Sequence, residues 1–201
     1  MAFDASSRDP LFGDLDIDKL VRAVPPGHTI KGAFVAKNAE ILAASWAKLE
    51  PSLVSPPRGG KYLAFSDYPL VDYLRVTDKA ARKKFPGASG REAHRLLSRD
   101  TFDVFAGTTL GRVTTSLLSG PASALTKYPE LYNRLVHGSR VEVVILEPRV
   151  AEADFSGYYS TTEAIYGVLE GIVLACGGDP TVTVQAKEAG HFVARVTWVP
   201  V

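Results

Sequence analysis

Up to about residue 136 the apolar positions recur every three to four residues, and beyond it they alternate or run together, so helices come first and mostly strands follow. Residues 1–29 stand apart: Asp4, Asp9, Asp14, Asp16 and Asp18 outweigh Arg8, Lys19 and Arg22, and the segment closes on the structure-breaking Pro25-Pro26-Gly27. It reads as an acidic arm and hinge ahead of a single domain, residues 30–201. Phe34, Ala39, Ile41, Leu42, Trp46 and Leu49 then form the apolar side of a helix from Ile30 to Pro51, and the breaker-rich stretch 51–60 is a loop. Ser66-Asp67 before Pro69 marks a helix start, Leu70, Tyr73, Leu74 and Ala81 continue it, and Phe85-Pro86-Gly87 ends it. A longer helix from Ser89–Arg91 to Leu118 carries Leu97, Phe102, Phe105, Val113 and Leu117 on its apolar side. Gly107 and Gly111, one turn apart on it, predict close approach of another element. Gly120-Pro121 stops it, and residues 129–136 offer one short helix more.

After His137-Gly138 the period changes. Val141 to Leu146 is a β-branched and aliphatic run, and residues 149–158 follow as a second strand. Ile165, Val168, Leu169, Ile172, Val173 and Cys176 return to helical spacing and stop at Gly177-Gly178. Residues 181–187 and 192–199 read as a hairpin. The fold class is therefore α+β: N-terminal helices packed on a C-terminal antiparallel sheet of strand, strand, helix, strand, strand order.

Composition narrows the class. With 46% hydrophobic and 22% charged residues, 201 residues can bury one sizeable core, which excludes a coiled coil, a collagen-like chain and a disordered protein. Twenty-three basic and 22 acidic residues give a formal charge of +1, and so no overall attraction to nucleic acid or an anionic membrane. A lone cysteine, Cys176, makes no internal disulfide and suits a reducing cytoplasm, and neither a signal peptide nor a membrane-spanning apolar run is present.

Charge is segregated locally. Between Arg75 and Arg99 lie eight basic residues against Asp78 and Glu92, whereas between Glu142 and Glu170 six carboxylates oppose only Arg149. Such faces suit self-association or a protein partner, with Arg75, Lys79, Arg82, Lys83, Arg91 and Arg95 as candidate contacts; the alternative is an ordinary solvated surface. Only Phe85 is aromatic in the basic stretch, which argues against nucleic acid.

No sequence motif advertises catalysis. Ser45-Trp46-Ala47-Lys48 has the spacing of a serine nucleophile with its lysine but lacks the companion motifs, and Gly59-Gly60-Lys61 lacks the spacing of a phosphate loop. His28, His94, His137 and His191 are far apart and form no metal-binding spacing. An acid–base pair of His137 with Glu142 would have to be created by folding. The expectation is a noncatalytic protein without a cofactor.

Phe65 to Arg75, Glu92-Ala93, Leu96 to Arg99, Thr109 to Arg112 and Phe192 to Trp198 give residues 30–199 a resemblance to a myxobacterial family of domains of unknown function. Tyr158-Tyr159-Ser160-Thr161-Thr162, ahead of the helix with Gly167 and Gly171, also resembles the junction of haem nitric-oxide/oxygen-binding domains, where Tyr-x-Ser-x-Arg holds the haem propionates. Thr162 occupies the arginine's position. Those domains place their proximal histidine about seven residues before a Tyr-Pro pair; here that position, counted from Tyr128-Pro129, is Pro121, and no histidine lies between His94 and His137. The resemblance implies the fold without the haem. Wider relatives, among them four-vinyl-reductase-like domains, use the space between helices and sheet for ligands or the helical surface to dimerise. By that analogy Phe102, Phe105, Val113 and Leu117 line a pocket with Tyr158 at its polar mouth; the alternative is a solid core. Two readings stay open: a haem-free cytoplasmic sensor or adaptor acting through protein contacts and able to form a homodimer, or a binder of a small apolar ligand.

Overall fold

The computed structural model describes residues 2–3, 11–42, 45–57, 61–107 and 119–201, with backbone alone at 2–3 and 102–107. Strand β1 (Ala2–Phe3) is followed by α1 (Ile17–Ala23), β2 (Thr29–Lys31), α2 (Gly32–Leu42), α3 (Trp46–Leu49), β3 (Asp67–Pro69), α4 (Leu70–Lys84) and α5 (Gly90–Gly107). The C-terminal half holds α6 (Pro121–Leu135), β4 (Val136–His137), β5 (Arg140–Glu147), β6 (Val150–Ser156), α7 (Thr162–Ala175), β7 (Gly178–Glu188) and β8 (His191–Pro200). β1-β7-β8-β6-β5 form one antiparallel sheet and β3-β2-β4 a second, small one.

The main sheet follows the alternation in the sequence. Val141, Ala151, Ala153, Phe155, Val182, Val184, Ala194 and Val196 face inward and are buried, while the residues between them are more exposed. Helix α7 covers that inner face with Ile165, Leu169, Ile172 and Val173. Thr161 caps it by accepting from the Ala164 amide at 3.2 Å, and Gly177 ends it with φ +77°, a conformation that favours glycine.

Several elements differ from the sequence reading. The helix expected from Ile30 begins as a strand, β2, because Ile30 pairs with both Tyr68 and Val136; the three side chains are buried together in the second sheet. Ser66-Asp67 does not cap a helix: Asp67 to Pro69 is β3, and α4 starts at Leu70. Gly120-Pro121 starts a helix, since proline suits the first turn, and α6 is fifteen residues long where the sequence offered a short helix from residue 129. Gly111 lies outside the described residues.

A close helix approach occurs at Gly167 and Gly171 of α7, where a Cβ would overlap the carbonyl oxygens of Arg95 and Arg99 on α5. The described part of the expected arm is docked on the body. Leu11 is buried against the sheet core, its amide donates to Glu92 at 2.7 Å, its carbonyl accepts a short bond from Ser89, and Asp14 pairs with Arg82 at 2.6 Å.

Candidate functional site

A cavity of about 110 Å³ lies where the helical half meets the sheet half. Its walls come from β2 and α2 (Ile30, Phe34), α4 (Tyr73), α6 (Tyr128, Leu131, Tyr132), β6 (Phe155) and α7 (Ile165, Val168). A larger groove of about 570 Å³ adjoins it between α2, α4, α5 and α6, and Phe34, Tyr73, Thr101, Leu131 and Leu135 border both. Helix α6 supplies the shared wall because Tyr128, Leu131, Tyr132 and Leu135 fall at i, i+3, i+4 and i+7 on one face.

Among the described residues lining the cavity, the polar side chains carry phenols and hydroxyls. Tyr128, Tyr132, Phe155, Tyr158 and Phe192 form a run of rings with successive centroids 5.7, 6.5, 5.3 and 5.9 Å apart. Tyr158 donates to the Thr161 carbonyl at 3.2 Å, and Tyr132 shares a 2.9 Å bond with the Ser139 hydroxyl. Burial, reinforced by the neighbouring phenols, pushes the Tyr128, Tyr132 and Tyr158 hydroxyls above the usual phenol range. They are neutral side chains at physiological pH, able to hydrogen-bond but poor as charged ligands.

Of the sequence candidates, Tyr158 lines this cavity. Phe102 and Phe105 fall on α5 with their side chains outside the described residues, as Val113 and Leu117 are entirely. Tyr73, Tyr128 and Tyr132 were not among the candidates; the signal that could have found Tyr128 and Tyr132 is the apolar stripe of α6, and Tyr73 belongs to the apolar spacing of α4.

The basic candidates do not form one open surface. Arg91 meets Glu163 at 2.5 Å, and buried Arg95 meets Glu170 at 3.0 Å, so two cations of the basic stretch neutralise two carboxylates of the acidic stretch within the chain. Burial is the largest influence on Glu170 and raises its carboxyl above the usual range, opposed by Arg95. Arg82 bridges Asp14 and Asp78, Lys83 donates to the Leu42 carbonyl at 3.0 Å, and Arg75 donates to the Ser52 carbonyl at 2.7 Å. Lys79 remains largely exposed. His137 stands 3.4 Å from Asp67, whereas Glu142 pairs with Arg140 at 2.7 Å, so the acid–base pair weighed in the sequence is not assembled.

Solved structures share this fold. An H-NOX protein from S. oneidensis in an Fe(II) ligation state superposes with a TM-score of 0.63 at 12% identity, over 85% of this chain and 96% of that one. A mutant of T. tengcongensis H-NOX gives 0.61 at 15% identity, over 86% and 100%. Unliganded Fe(II) H-NOX from K. algicida gives 0.62 at 9% identity, over 86% and 98%. At these identities the likeness establishes the fold.

The residues at the cavity do not fit a haem. Among the described residues lining cavity and groove there is no histidine, cysteine or methionine, and no described cluster of three or more His, Cys, Asp or Glu side chains could hold a metal ion. A tyrosine would have to ligate as phenolate, which burial opposes here. Thr162 offers no cation for a propionate and bonds instead to Glu163 at 3.3 Å.

No curated protein matches the sequence. The family described as a protein of unknown function, DUF2378, matches over residues 24–199, and the chain belongs to that family.

Proposed function

We propose that this protein is a noncatalytic, haem-free sensor domain that holds a small apolar ligand between its helical and sheet halves. The observation that carries this is the apolar cavity, walled by aromatic rings and opening beside a larger apolar groove. At about 110 Å³ it is comparable to an engineered dry cavity of roughly 150 Å³ that takes benzene or xenon. A ligand about one ring in size fills it, and a longer one extends past Phe34 and Leu131 into the groove. The oxygens of Tyr132, Tyr158 and Ser160 provide hydrogen bonds for a single polar substituent, which favours an aromatic alcohol or ketone over a pure hydrocarbon.

The test is thermal stabilisation by toluene, indole and acetophenone, alongside native mass spectrometry of the purified protein. Wild type gains melting temperature with at least one of them, and Leu131→Trp, which fills the wall common to cavity and groove, abolishes the gain. The reading fails if none of the three binds and no small molecule copurifies, or if the filled variant binds as well as wild type.

A further inference from the structure

Strand β5 ends the main sheet, and among the described residues no strand pairs with its outer edge. That edge is occupied at one place. The side-chain amide of Asn133 on α6 donates to the Val141 carbonyl at 3.1 Å and accepts from the Val141 amide at 2.9 Å, imitating a neighbouring strand. Since the backbone groups of an antiparallel strand alternate sides, Val143 and Ile145 point their N–H and C=O in the same outward direction as Val141. Beyond them the register shifts between Ile145 and Glu147, a bulge that ends regular pairing. The open stretch is therefore bounded by the Asn133 cap on one side and the bulge on the other, and its centre is Val144.

We propose that this edge pairs antiparallel with the same edge of a second copy, about a two-fold axis at Val144. Val143 of each copy then faces Ile145 of the other in a hydrogen-bonded pair, giving four backbone hydrogen bonds in all. Val144 faces its own copy, and Glu142 faces Leu146. This register covers Val144 and Leu146, which are 59% and 45% exposed, two of the large apolar side chains that the fold leaves in water. It also brings the strand's basic start, Arg140, beside the acidic end, Glu147, of the other copy. A face able to meet itself is the requirement of a two-fold interface. The edge also carries the features that limit such pairing, a charged residue at each end and a bulge, which keep the contact short and the dimer weak.

Cysteine cross-linking reads the register directly. A residue opposite itself in a non-hydrogen-bonded antiparallel pair has its Cα about 4.5 Å from its copy, within disulfide range. In a Cys176→Ser background, Val144→Cys should form a covalent dimer under mild oxidation at least about tenfold faster than Glu142→Cys. A mixture of Glu142→Cys and Leu146→Cys chains should cross-link preferentially as the mixed pair. Both positions are exposed, so folding is checked by circular dichroism and does not confound the comparison. Sedimentation of the wild type should show a dimer whose fraction rises with concentration, absent in Val144→Lys. The proposal is overturned if Val144→Cys cross-links no faster than Glu142→Cys, or if the wild type sediments as a monomer at every concentration and Val144→Cys does not cross-link.

Discussion

The sheet half and the helical half of this molecule bury their side chains in different ways. In the sheet half the inward residues of β5 to β8 are aliphatic or aromatic and meet α7 in one continuous apolar layer. In the helical half, apolar packing is interrupted by buried polar anchors. Asp72 accepts the amides of Val54 and Ser55 at 2.7 and 2.8 Å, Asn38 donates to Thr77 at 2.8 Å, and Asp78 lies between His94 and Arg82. Burial works to raise the Asp78 carboxyl, and the bonds from His94 and Arg82 outweigh it, so the group is held below its ordinary range. The sheet half is shaped by non-directional burial that tolerates no gap. The helical half is positioned by directional bonds, and the space between the two is bordered by α5, α6 and α7.

The weld that holds the halves at this spacing is the contact of α7 glycines on α5, and breaking it should have the largest effect. Gly167→Ala drives a methyl into the Arg95 carbonyl, a backbone atom that cannot rotate aside. We expect a loss of about 3 kcal/mol or more in urea unfolding, at the upper end for overpacking. An effect under about 0.5 kcal/mol, the range of an ordinary surface change, would show that the helices are not in contact there.

The ion pair beside that weld separates specificity from stability. Glu170→Met should cost about 2 kcal/mol by taking from the buried Arg95 its carboxylate partner at 3.0 Å and leaving Glu92 at 3.4 Å, whereas the double variant Arg95→Met/Glu170→Met should recover most of the loss. Because the folded-state pKa of Glu170 is raised, its contribution is fully present below the ordinary glutamate range and is lost as pH rises through the folded value. The double variant should lack that dependence in unfolding measured across the acid range. If the double variant is as unstable as the single, the pair is not an isolated unit.

Much of this architecture was legible in the pattern of apolar positions, and the misses have physical causes. Helix α7 and the β7–β8 hairpin are long, periodic and bounded by Thr161, Gly177 and Gly190, so local signals and tertiary structure agree. The strands β2, β3 and β4 are two or three residues long, too short for alternation to register, and exist because Ile30, Tyr68 and Val136 bury one another. Leu11 was hidden by the surrounding aspartates, although it is the buried apolar residue of a segment also held by Ser89, Glu92 and Arg82. Tyr158 was legible through its resemblance to a known junction. Tyr128 and Tyr132 were not, because Gly120-Pro121 read as a stop and the helix carrying their stripe was cut short.

Filling the space between the halves should disturb stability less than either change above. Leu131→Trp replaces one apolar wall residue by a larger one beside open volume, so its cost should stay under about 1.5 kcal/mol in urea unfolding. A larger loss would mean that the cavity is tighter than its 110 Å³ indicates.

The smallest effect belongs to the surface clasp of the N-terminal segment. The Arg82 guanidinium beside Asp14 holds its carboxyl below the ordinary value, so this pair stabilises above the ordinary aspartate range and is lost as pH falls through the lowered one. Asp14→Asn should therefore differ slightly from wild type in thermal unfolding at neutral pH, and the difference should shrink as pH falls below about 4 and vanish only below the lowered value. A difference that persists into acid would assign the clasp to the buried Leu11 and its bonds to Ser89 and Glu92 instead.

The existence of a dry apolar space between the halves can be read from a crystal held under xenon pressure. A xenon atom should appear among Tyr132, Tyr158 and Ile165, bound without displacing their side chains. Unbroken side-chain density at that place, with no xenon, would contradict it.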